Sequence, residues 1–204
     1  MMKKNKLLTI GITGMMGSGK STALNFFNKR GIKTYDLDIE AKKLLKKNSY
    51  CYNKILKYFG KKILNSNGSI NKKKLRDVVF NNKKHLDMLN SIVHPELNKK
   101  IILICNNLKK AKKKLVVFEG ALISRDTKFG SSLDYILYIQ APNKILNTRI
   151  VKRDKIDEKN AEKLILMQKK VKNNKKNADF IIRNDSNIKE FNSRLNFVLD
   201  KLPY

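Results

Sequence analysis

The run Gly14-Met15-Met16-Gly17-Ser18-Gly19-Lys20-Ser21 constrains this chain more than any other feature, because it sets glycines, a lysine and a hydroxyl in the G-x-x-x-x-G-K-[ST] spacing. Apolar residues over 7–13 precede it and read as a buried strand, while Ala23, Leu24, Phe26 and Phe27 recur at helical spacing over 20–29. Strand, glycine loop and helix in that order suit one chemistry. Glycines let successive backbone N–H groups turn inward around phosphate oxygens, and the helix N-terminus adds about half a positive charge. Lys20 is then expected to reach the β- and γ-phosphates of a nucleoside triphosphate and Ser21 to hold Mg2+, with Gly14, Met15, Met16, Gly17, Ser18, Gly19 and Thr22 forming the cradle.

Gly31 ends the first helix, a second strand is expected over 32–35, and Asp36-Leu37-Asp38 stands at its carboxyl end, where parallel sheets bind their ligands. From about 40 to 108 the pattern turns helical, with helices predicted over 39–47, 50–59, 71–80 and 83–107, broken at Asn65-Ser66-Asn67-Gly68-Ser69 and kinked near His94-Pro95. Strands return over 115–118, 135–139 and 180–182, and helices are expected over 143–153, 158–172 and 188–202. This alternation predicts an α/β fold, a parallel sheet wrapped by helices, as one domain over 1–204 interrupted by a helical insertion. The lysine-rich tract at 169–176 reads as a solvated turn or lid edge.

With 204 residues and 41% hydrophobic content the chain can bury a core, and no run approaches the roughly 20 apolar residues a membrane-spanning helix needs. The basic opening followed by 7–12 is read as the first strand rather than a signal peptide, since the apolar run leads straight into glycines. Cys51 and Cys105 have no second ligand at metal spacing and read as thiols of a reducing cytoplasm. The net charge of +29 comes almost wholly from lysines scattered among Asn and Ile, with seven arginines and no interleaved aromatic platform. It is read as a compositional bias on solvated surfaces that would attract anions in general, not as a specific nucleic-acid site.

The N-K-x-D segment by which GTPases read guanine is absent. Asp38 falls where it would orient or deprotonate an acceptor hydroxyl, with Asp36 as support. An Asp-x-Asp after a strand serves equally as a helix N-cap, so spacing alone leaves both roles open. Arg149 and Arg153, four residues apart, could serve as phosphate ligands, but spacing alone in so basic a chain favours surface charges on a helix.

Several segments together resemble the dephospho-coenzyme A kinases over 7–199. Thr13 to Thr22 is similar to that family's phosphate loop, and Asp36-Leu37-Asp38-Ile39-Glu40-Ala41 to its D-x-D-x-x-A. His94-Pro95 resembles its H-P, Arg149 and Arg153-Asp154 its R-x-x-x-R-D, Gln168 its following glutamine, and Ala178 to Asp185 its A-D-x-x-I-x-N-D. The resemblance implies a P-loop, nucleoside-monophosphate-kinase-like fold with a lid over about 143–176. It implies transfer of the ATP γ-phosphate, with Mg2+, to the 3′-hydroxyl of dephospho-coenzyme A in a monomer or weak homo-oligomer. Asp38 would be the acceptor-side carboxylate, Arg149 and Arg153 lid arginines on phosphates, and Asn184 a neighbour of the adenine; Thr13, Asp36 and His94 would serve the acceptor. Tyr50, Tyr52, Tyr58, Phe59 and Phe80 are expected in the core, with one or two of them open to the pantetheine arm. A nucleoside-monophosphate kinase, the nearest alternative, would carry arginines early in the insertion, and 40–71 contains none.

The chain departs from the family pattern in two places. Met15 stands where many relatives have glycine, and its side chain is expected to point outward. Glu119-Gly120-Ala121-Leu122-Ile123-Ser124-Arg125 stands where D-x-P-L-L-x-E is usual, which unsettles the acceptor contacts more than the reaction. Glu119 reads either as a water-mediated Mg2+ partner or as a plain strand-end carboxylate.

Overall fold

A computed structural model describes residues 6–80, 82–121 and 123–204; Leu122 of the departing segment lies outside them. In chain order, β1 (Leu8–Gly14) leads through the glycine loop into α1 (Lys20–Asn28) and β2 (Lys33–Asp36). Four helices follow: α2 (Leu37–Leu44), α3 (Tyr50–Phe59), α4 (Lys72–Phe80) and α5 (Lys83–Lys110). Then come β3 (Leu115–Glu119), α6 (Lys128–Ser132), β4 (Tyr135–Gln140), α7 (Asn143–Asp154), α8 (Glu158–Leu166), α9 (Lys169–Asn173), β5 (Phe180–Arg183) and α10 (Ile188–Lys201).

Two compact units result, one of residues up to Asp36 and from Leu108 onward, the other Leu37–Asn107. The first is built on a five-stranded sheet in the order β2-β3-β1-β4-β5, with every neighbouring pair parallel. Central β1 is almost wholly buried, so its residues read as a continuous apolar run rather than an alternation. Its core joins Ile10 and Ile12 to Phe27 of α1, Leu137 and Ile139 of β4, and Phe191 and Leu195 of α10.

The second unit packs Cys51, Tyr52, Ile55 and Phe59 of α3 against Ile63, Leu75, Val79 and Val93. Ser49 caps α3 by accepting from the Tyr52 amide at 3.1 Å. Of the aromatic residues expected inside, Tyr52 and Phe59 are buried, but Tyr50, Tyr58 and Phe80 lie on the surface. They fall on outward-facing turns of short helices whose apolar stripe is already filled. His85 meets Tyr58 and Phe59 edge-on and places Nδ1 3.2 Å from the Val78 carbonyl.

Two helix boundaries differ from the pattern reading. α2 begins at Leu37 and ends at Leu44, so Asp38 stands in a first helical turn, where a carboxylate favours the positive helix end. The single helix expected over 158–172 divides into α8 and α9 at Met167 and Gln168, and the lysine tract after it continues as α9 and a 3-10 turn, Asn174–Asn177. Among the described residues no helix is long and apolar enough to cross a membrane.

Candidate active site

The loop between β1 and α1 depends on glycine at two places. Gly14 has φ +145°, and a Cβ there would meet the Ile139 carbonyl oxygen; Gly19 has φ +103°, and a Cβ there would meet Asn184 Nδ2. With both glycines in place the backbone passes close beneath its neighbours, and side chains from distant elements grip three consecutive loop residues. Gln168 Oε1 accepts from Met16 N–H at 2.6 Å. Arg149 Nη1 donates to Gly17 O at 3.2 Å, and Asn184 Nδ2 donates to Ser18 O at 2.7 Å. Arg149 Nη2 also reaches Asn184 Oδ1 at 3.3 Å, which joins two of the three grips.

Lys20, the first residue of α1, donates to Met15 O at 3.3 Å and lies 3.9 Å from Glu119 Oε1. Register explains the carboxylate's place: Glu119 ends β3, paired with Ile12 of β1 on one side and Asp36 of β2 on the other.

Around this loop Gly17, Gly19, Lys20, Ser21, Thr22, Arg149, Arg153, Asn184, Ser186 and Ile188 line a cavity of about 360 Å³. Three of these residues are cationic and none is acidic, so the cavity suits a polyanion. Ser21 and Thr22 face solvent at the start of α1, whose first turn carries no acidic residue to oppose an anion. The hydroxyls of Ser18 and Ser186 are buried without a hydrogen-bond partner among the described residues. The lining therefore fits a nucleoside triphosphate at its phosphate end. Arg153 stands on the rim, held by Asp154 through two hydrogen bonds of 2.7 and 2.8 Å.

Other residues singled out from the sequence are not among those lining this cavity. Thr13 is fully buried, and its hydroxyl donates to the Ala121 carbonyl at 3.1 Å. Asp36 is the last residue of β2. Asp38 on α2 and His94 on α5 are exposed side chains of the second unit.

Met15 corrects an expectation: its side chain turns inward and packs with Leu146, Ile150, Ala161, Ile165 and Val171 of α7, α8 and α9. A loop side chain thus completes the core beneath these helices, and apolar burial outweighs the outward path open to it. Arg125 reaches Leu133 O at 2.6 Å and Asp179 Oδ2 at 2.5 Å, fastening the segment after α6 to the approach of β5.

Sequence reasoning assigned no task to Gln168, Ser186 or Glu40. That carboxylate is buried and paired with Lys43 at 2.6 Å and Lys100 at 2.7 Å. Burial pushes it up, but the hydrogen bonds from Lys100 and Lys43 prevail and hold it below the usual carboxylate value. A glutamate three positions before one lysine and 60 before another carries no pattern by which to foresee such a trio.

Comparison with known proteins points to one family. The dephospho-CoA kinase from Fusobacterium nucleatum is 37% identical over 185 residues, covering 90% of this chain and 93% of that protein. A solved dephospho-CoA kinase from Campylobacter jejuni superposes with a TM-score of 0.69 at 28% identity, over 95% of this chain and 96% of that one. Shikimate kinase from Acinetobacter baumannii shares the fold alone, with a TM-score of 0.54 at 17% identity over 98% of this chain and 97% of the other. The dephospho-CoA kinase family model matches residues 8–190, and with the loop, the cavity and the parallel sheet in agreement, the chain belongs to that family.

Proposed function

We propose that the chain carries out its family's reaction, the last step of coenzyme A biosynthesis, with Asp38 taking the proton of the acceptor 3′-hydroxyl and Lys20 and Arg149 neutralising the transferred phosphoryl group. The O3′–P bond forms as the bond between the γ-phosphorus and the β,γ-bridging oxygen breaks; ADP leaves and the hydroxyl proton passes to Asp38. The observation that carries this reading is the cationic cavity in which Lys20, Arg149, Arg153 and Asn184 converge on the glycine loop.

Each side chain then has a task. The amides of Gly14, Met15, Gly17 and Gly19 hold phosphate oxygens, in a loop whose shape Met16 and Ser18 keep by donating to Gln168 and to Met15 O, with Thr22 beside them, and Arg153 closes on phosphate from the 143–176 segment, acting as a lid. Asn184 stands beside the adenine. The Ser21 hydroxyl, with Glu119 through water, would hold Mg2+, which supplies charge neutralisation at the phosphates when bound. Asp36 supports Asp38, Thr13 acts through the Ala121 segment that its hydroxyl holds, and His94 belongs to the acceptor side, within a helical substrate-binding insertion over 40–108. On this reading the enzyme works in the cytoplasm, monomeric or weakly self-associating and without a specific nucleic-acid partner.

A coupled ADP-release assay tests the reading across dephospho-coenzyme A, AMP, CMP, dTMP, shikimate and gluconate, with Lys20→Ala as the blank. Dephospho-coenzyme A is expected to dominate, and Asp38→Asn to lower kcat by about 10² to 10⁴. Preference for a nucleoside monophosphate would overturn the substrate assignment.

A further inference from the structure

Gln168 stands in the break between α8 and α9, with φ −88° and ψ 25°, and uses both ends of its side-chain amide. Oε1 accepts from Met16 N–H at 2.6 Å, and Nε2 donates to Leu164 O at 3.1 Å. The Leu164 carbonyl can only accept and the Met16 amide can only donate, so the two partners together decide which end of the carboxamide is oxygen.

The consequence reaches Lys20 through one rigid group. In a trans peptide the N–H and the C=O point in opposite directions. With Met16 N–H drawn to Gln168, the carbonyl of the same peptide, Met15 O, turns the other way. There it accepts from Ser18 N at 3.1 Å and from Lys20 Nζ at 3.3 Å. Arg149 and Asn184 hold two carbonyls further along, Gly17 O and Ser18 O, and their hydrogen bonds go to those and not to the 15–16 peptide.

We propose that Gln168 is a positioning residue for the nucleotide-binding loop. By holding Met16 N–H it sets the plane of the 15–16 peptide, and with it the curvature of the loop and the resting place of the Lys20 ammonium. This rests on Gly14–Ser21 being the nucleotide cradle. Without Gln168 the peptide turns over in part of the population, and apparent affinity for ATP falls by the fraction of loops left in the receptive form. Bound phosphates then hold the loop themselves, so the chemical step is spared.

The test compares Gln168→Met with wild type in steady-state kinetics and in hydrogen exchange of the Met16 amide without nucleotide. KM for ATP should rise about five- to tenfold with kcat within about twofold, the fold-change expected when the receptive fraction drops to between a fifth and a tenth. KM for dephospho-coenzyme A should stay unchanged, and the Met16 amide should exchange faster. An unchanged KM for ATP, or a fall in kcat with KM constant, overturns the inference. Should Gln168→Met fail to fold, Gln168→Asn, one methylene too short to reach the amide, is held to the same outcomes. Lys20→Ala separates the two levels. If it leaves ATP binding intact, the cradle reading itself fails; if it abolishes binding while the Gln168 variants bind ATP as wild type does, only the role of Gln168 fails.

Discussion

Asn184 Nδ2 donates to the carbonyl of Ser18 at 2.7 Å across 166 residues of chain, and its Oδ1 accepts from Arg149. The residue after β5 thereby becomes part of the floor beneath the glycine loop. Because the side chain is buried, it has no water to replace these partners if it is altered.

Replacing Asn184 by Ala should leave Ser18 O without its donor and loosen Arg149. The expected cost is about 1–3 kcal/mol, the desolvation penalty of a stranded buried group. A chain of this size should then melt several degrees lower, at about 2–4 °C for each kcal/mol, with a raised KM for ATP. Differential scanning fluorimetry with and without ATP would measure both effects, and an unchanged melting point would contradict the assigned burial.

Gly19→Ala should act on the same contact from the loop side. The added methyl meets Asn184 Nδ2 and also asks a non-glycine residue to hold φ +103°. Strain of this kind costs about 1–3 kcal/mol. Weaker ATP binding is expected by isothermal titration, and pairing Gly19→Ala with Asn184→Ala should recover part of the loss because the steric partner is gone.

Stability should fall in acid partly through Glu40. Its folded-state value is depressed by Lys100 and Lys43, so the unfolded chain takes up a proton at that carboxyl more readily than the folded one. The contribution is complete above the ordinary glutamate value of about 4.3 and is lost as pH falls through the lower folded value. Glu40→Gln should cost about 1–3 kcal/mol at neutral pH, less than a fully enclosed pair because Lys43 is 51% exposed, and should flatten the acid limb of a urea-denaturation series.

The net charge of +29 should reveal itself as screening, not as sequence recognition. Fluorescence anisotropy with duplex DNA or RNA is expected to show binding at low salt that disappears by about 200 mM, as contacts to phosphate alone do. Binding that persisted there with a preference among sequences would point to a nucleic-acid role.

Much of this molecule was legible in residues close together along the chain. Eight consecutive residues located the glycine loop between β1 and α1, because a tight turn followed by a helix start is a local device whose glycines must sit at fixed offsets. Strand and helix periodicity located β1, β3, β4 and α3 to within a residue or two, since burial on both faces of a parallel strand leaves an unbroken apolar run. Sheet order and side-chain convergence belonged to the tertiary structure. Only the placing of β4 and β5 beside β1 brings Arg149 and Asn184 to the loop, and only the packing of α7, α8 and α9 turns Met15 inward and breaks the expected helix where Gln168 reaches Met16. Those contacts span more than a hundred residues, and their free energy depends on neighbours that no local pattern of polarity records.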